Sequence, residues 1–214
     1  MGGFLIGLLF YGGCLVGVIV NSPQVYAEQK VLPRIADLVP QFSFSTGAAQ
    51  PIIEYTLNHA MLAEQDSTPL LQVFGNGLVK VHYPVYMKKA GDYEQMLTPD
   101  ELKNLLASLS DNGLMEFNPE AVRHYKKQTD QQQRLSGGAL YNISDTTETN
   151  ITIRLDAYQR NKFSGKVTNM LRQFSWKNLE HDARRYPQSS DIQGALSGEK
   201  RLRQLMNHPQ LRRV

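Results

Sequence analysis

The sequence predicts an α+β fold: an antiparallel sheet of about six strands, laid down in two batches, with helices packed on one face. Three observations carry this reading. Alternating apolar runs flank a Gly75-Asn76-Gly77 turn, a capped leucine-striped helix follows from Thr98, and strands then helices recur after a polar connection.

The chain has 214 residues and a formal net charge of +3. No Lys, Arg, Asp or Glu precedes Glu28, and residues 4–20 are apolar or uncharged. Val25-Tyr26-Ala27 then offers small residues at a signal-peptidase site, so residues 1–27 are expected to be a secretory signal peptide. The alternative is an uncleaved inner-membrane anchor through residues 4–20. Cys14, the one cysteine, lies in that segment, so the mature chain is expected to carry no disulfide and no cysteine metal site. Residues 28–50, with Pro33 and Pro40, are expected to form a linker. Residues 51–214 then form a single α+β domain with halves at about 51–130 and 138–210.

Residues 52–59 alternate, with Ile53, Tyr55 and Leu57 on one side and Glu54, Thr56 and Asn58 on the other. In the next hairpin, a three-residue turn pairs Val73 with Val79 and Leu71 with Val81. A two-residue loop would instead scramble apolar and polar faces. The three-residue form needs Gly77 at positive φ, where a Cβ is costly. Residues 84–98 read as a long loop.

Thr98-Pro99-Asp100-Glu101 is a capping box with proline in the first helical turn. Leu102, Leu105, Leu106 and Leu109 follow at helical spacing, and Gly113-Leu114 closes the helix. Asn118-Pro119-Glu120 starts a second, short helix that fades over residues 129–134. The second batch holds a short strand at 139–144, a polar turn at 145–150 and a strand with Ile151, Ile153 and Leu155 facing in. A turn at 161–165 leads to a strand near 167–176. A helical turn at 179–186 and a last helix from about Ser197 complete the chain.

Chemical motifs are sparse. His59, His82, His124, His181 and His208 show no metal-ligand spacing, no serine sits in a hydrolase motif, and no glycine-rich phosphate loop opens a helix. No metal and no cofactor is therefore expected. Glu180-His181-Asp182 reads as a surface run, because consecutive helical residues diverge by about 100°. Glu54 and His82 are the candidate catalytic pair, since an acid and an imidazole on neighbouring strands could share a proton. Tyr83, Tyr86, Lys88, Lys89 and Tyr93 are the candidate binding residues, because tyrosines joined by lysines in a long loop make a rim for a protein or glycan. The basic residues from Arg184 to Arg213 read as a solvated helix face. With charge spread along the chain, nucleic acid is not expected as a partner.

The run VFGNGLVKVHYP with KAGDYEQMLTPDELKNLLASLSDNGLMEF resembles uncharacterised exported proteins of proteobacteria. Those pair a Gly-Asp-Gly hairpin with a capped leucine-rich helix ending in a Gly-Leu turn and an aromatic residue. Asn76 stands here where Asp is usual, and HDARRYP (residues 181–187) is similar as well. The resemblance implies a bacterial envelope setting and no particular activity. The expectation is a periplasmic or secreted non-catalytic binding or protein-interaction module, whose partner is another envelope protein or a glycan. A periplasmic hydrolase using Glu54 and His82, or a structural protein anchored through residues 4–20, are the alternatives. The membrane is a partner only if that segment stays uncleaved.

Overall fold

The computed structural model describes residues 35–59, 66–137 and 146–214. The expected signal peptide, Cys14, most of the segment joining residues 59 and 69, and the short strand at 139–144 lie outside the described residues. The described residues form one compact unit.

Among the described residues, eight strands build one antiparallel sheet: β1 (Gln41–Ser43), β2 (Pro51–His59), β3 (Leu71–Phe74), β4 (Leu78–Tyr83), β5 (Gly91–Met96), β6 (Thr147–Gln159), β7 (Val167–Lys177) and β8 (Arg212–Arg213). The helices are α1 (Pro99–Asp111), α2 (Pro119–Leu135), α3 (Leu179–Arg185) and α4 (Ser190–Met206). β6 is the seam between the two batches. One of its edges carries β2 and then β1, the other carries β7, and β3, β4, β5 and β8 extend outward from β2.

The hairpin takes the expected register, Val73 opposite Val79 and Leu71 opposite Val81, with Gly77 at φ 91°. Those four side chains are at most 1% exposed and join Ile53, Tyr55, Ile151 and Ile153 in the core. Gly75 has a separate reason, which is space. A Cβ there would sit 1.9 Å from the carbonyl oxygen of Ser45, on the excursion between β1 and β2.

α1 supplies the other half of the core through Leu102, Leu105, Leu106 and Leu109. Thr98 and Glu101 exchange their capping bonds. At the far end, Leu114 N–H donates to Leu109 O at 3.1 Å and Gly113 N–H to Ser110 O at 2.8 Å. This 6→1 and 5→2 pair turns the chain with Gly113 at φ 75°. α4 crosses that turn at close range. A Cβ at Gly194 would meet Asn112 O at 2.2 Å, and one at Gly198 would meet a Leu114 methyl at 2.2 Å. Gly194 thus lets the α4 backbone lie on the backbone of the turn, and Gly198 makes room for the Leu114 side chain.

The structure corrects several expectations. Residues 84–98 are not one loop: a short turn ends at Ala90, and β5 pairs with β4 along its whole length. Gln95, buried in a core column opposite Val79, hid the alternation. α2 does not fade but runs 17 residues, and Val122 alone is buried, which left no apolar stripe to read. The expected turn at 145–150 is largely the start of β6. α4 begins at Ser190 behind a Ser189 cap, its start masked by the two glycines. The expected linker holds a short 3-10 helix, Ile35–Leu38, and β1.

Candidate functional site

The candidate pair Glu54 and His82 does not meet. β3 lies between their strands, so Glu54 faces Gln72 and, beyond it, Lys80. Glu54 is ion-paired with Arg154 of β6, and Lys80 with Glu94 at 3.5 Å. His82 is held between Asp92, 2.6 Å from Nδ1, and Asp66, 2.8 Å from Nε2. Its hydrogen bond to Asp92 raises the imidazole pKa against the opposing effect of partial burial, with Asp66 adding to the rise. Asp66 is pulled down to about 2, first by the Thr68 backbone N–H and then by the Thr68 and His82 side chains. This face of the sheet is a lattice of satisfied charges. An imidazole clamped on both nitrogens has no free position from which to take a proton from a substrate.

The expected tyrosine rim separates as well. Tyr83 is 8% exposed and donates its hydroxyl to Met206 O at 2.5 Å, while its ring meets Tyr93 edge-on at 5.5 Å. Both cap the edge of the core. Tyr86, Lys88 and Lys89 remain exposed on the turn beside Val85. Asp182 also departs from its expected surface position. It is buried, accepts from Trp176 Nε1 at 2.8 Å, and pairs with Lys126, whose ammonium lies over the Trp176 and Tyr186 rings. With Asp130, which accepts from the Tyr186 hydroxyl at 2.7 Å and from Arg185 at 2.9 Å, this group ties α2 to α3.

Two features that sequence reasoning passed over stand out. The first is the outer edge of β7. Ten of its eleven residues, all but Asn169, pair with β6 on one side, and among the described residues no strand pairs with the other. Val167 and Leu171 on the strand are 45% and 55% exposed, and Phe163 in the turn that leads into it is 68% exposed. A cleft of about 540 Å³ runs from the β1–β2 excursion across β6 to Asn169, Met170 and Leu171. Asn169 at φ 50° interrupts the strand there.

The second is a buried carboxylate at the corner where β2, β6, α3 and α4 meet. Glu199 is 3% exposed, and its Oε1 accepts from Tyr55 at 2.9 Å, from Thr149 at 3.3 Å and from Arg203 at 2.8 Å. Burial, then the Glu199 charge, pushes the Tyr55 hydroxyl pKa well up, so it stays a donor. A cavity of about 350 Å³ opens beside this group, walled by His59, Asn178, His181, Arg184 and Leu57 among others. One signal was available in the sequence. Glu199 falls on the buried stripe of α4 with Ile192, Ala195, Leu202 and Met206, where an acid is out of place.

No family model, curated protein or solved structure matches the chain. Among the described residues, no helix is long and apolar enough to cross a membrane, and no group of His, Cys, Asp or Glu is arranged to hold a metal.

Proposed function

We propose that the chain is an exported, non-catalytic protein-interaction module of the bacterial envelope, and that β7 receives an extended segment of its partner. The observation that carries this reading is the β7 edge, which no strand pairs among the described residues, with Val167 and Leu171 exposed on the strand and Phe163 exposed in the turn before it. An exposed edge presents a row of backbone donors and acceptors that an incoming strand completes, while clefts beside it select side chains. β7 contains Arg172 and Lys177 and no acidic residue. Pairing with a second β7 would set like charges near one another, which disfavours a dimer through this edge. The complementary occupant is an extended, acidic segment with apolar residues at alternate positions. The export component rests on the uncharged stretch at residues 4–20 and the small residues before Glu28.

The test is photo-crosslinking in intact cells, with a photoreactive residue at Gln173 or at Tyr86 of the full chain. Capture of one envelope protein from Gln173, lost in an Arg172→Glu/Lys177→Glu variant, is the expected result. Capture from Tyr86 alone would move the interface to the β4–β5 turn, and no capture from either position would overturn the reading.

A further inference from the structure

We infer that the corner cavity beside Glu199 is a binding site for a small zwitterion of the α-amino-acid class. The site shares no lining residue with the β7 edge and does not depend on the interaction reading.

The argument starts from the two oxygens of one carboxylate. Every hydrogen bond to Glu199 falls on Oε1. Oε2 takes none of them, yet it is not among the fully buried atoms left without a partner, so it keeps some accessible surface although the residue is 3% exposed, and Glu199 stands in the wall of the cavity. A carboxylate this deeply buried, with one oxygen turned to an opening, is an acceptor in place for a cation.

The opposite requirement is present on the same walls. Arg203 spends Nε and Nη2 on Glu199 and Tyr55, which leaves Nη1 outside those bonds, and the residue stands in the cavity wall. Arg184 uses Nη1 on Glu180 at 3.1 Å and keeps its other donors. The Asn178 Oδ1 accepts from Thr147 N–H at 3.0 Å, which directs the Nδ2 donors elsewhere. His59 engages Thr147 through Nδ1 at 3.3 Å, leaving Nε2. The lining therefore carries two guanidinium groups against the Glu180 and Glu199 carboxylates, a formal balance.

That balance decides the ligand class. A bare anion would meet the guanidinium groups but bring like charge toward Glu199. A bare cation would satisfy Oε2 but face Arg184 and Arg203. A molecule bearing both an ammonium and a carboxylate satisfies both sets, with Leu57 and Leu179 to receive an aliphatic side chain. A cavity of about 350 Å³ suits one such molecule.

Isothermal titration of the purified full chain with free L-amino acids, each beside its N-acetyl and carboxamide derivatives, tests the assignment. At least one amino acid is expected to bind, with roughly tenfold or greater loss of affinity when either end is capped. Arg184→Ala, at the exposed rim, is expected to give a similar loss while the melting temperature of the unliganded protein stays unchanged. Absence of binding by every free amino acid at about 10 mM, a concentration that detects even weak sites, would overturn the assignment. Equal binding of the capped forms would overturn it too, as would full affinity in both Arg184→Ala and His59→Ala.

Discussion

The Tyr55 hydroxyl donates to Glu199 Oε1 at 2.9 Å, joining two residues 144 positions apart in the chain. The bond pins α4 to the centre of the sheet through a polar contact in an otherwise apolar layer. A buried donor or acceptor left without its partner costs about 1–3 kcal/mol. Tyr55→Phe is therefore expected to lower stability by about 1 kcal/mol, because Arg203 and Thr149 still satisfy the carboxylate. Glu199→Ala removes the common acceptor of three groups and is expected to cost about 3 kcal/mol. Urea midpoints of the two variants check the order; equal losses would contradict it.

The Asp182 network yields a second expectation. Asp182 serves both the Trp176 indole and the Lys126 ammonium, so its removal leaves two donors without an acceptor. Asp182→Ala is expected to cost about 3 kcal/mol, and Asp182→Asn less, since the amide oxygen still accepts from the indole. Trp176 is the one tryptophan in the chain, which makes its fluorescence a direct report on this corner. An emission shift in the alanine variant before global unfolding is the expected signature.

His82 and Asp66 give the stability a defined dependence on pH. The folded state raises the His82 pKa above 6.5, so its contribution is complete below that value and is lost as pH rises through the folded pKa. Asp66 is lowered from 3.8 to about 2, so its contribution is complete above 3.8 and is lost as pH falls toward 2. The stability difference between the native chain and a His82→Asn variant is expected to be greatest between about pH 4 and 6.5, and to shrink on both sides. Chemical denaturation at a series of pH values reads this directly. A difference independent of pH would show that the clamp carries no charge.

Legibility in the sequence followed the range of the interactions. The hairpin register, the Thr98 capping box and the Gly113 turn were readable because each is set by residues within a few positions of one another. β5 was not, because Gln95 places a polar side chain in a core column and breaks the alternation that marks a strand. The candidate site was hidden for a different reason. Glu199 and Arg203 are spaced i, i+4, the pattern of an ordinary surface ion pair, and nothing local shows that Tyr55 and Thr149 close over them. Glu54 and His82 do lie on the polar face of the sheet, but β3 intervenes between their strands, and strand order is not written in either strand's own residues.

Three glycines separate two mechanisms that are often merged. Gly113 has positive φ and open space around it, so Gly113→Ala is expected to cost about 1 kcal/mol through backbone conformation alone. Gly194 has no such φ but lies where a Cβ would stand 2.2 Å from Asn112 O, an atom of the backbone that cannot rotate away. Gly194→Ala must therefore push α4 off the end of α1, and a loss of about 3 kcal/mol is expected, as for overpacked cores. Gly75→Ala meets Ser45 O in the same way, but the yielding element is the excursion between β1 and β2 rather than a core helix. The expected result is a small loss of global stability with faster amide exchange confined to residues 41–50. Hydrogen exchange resolved by segment distinguishes the three cases. If Gly194→Ala proved as mild as Gly113→Ala, the close crossing of α4 over the α1 turn would be refuted.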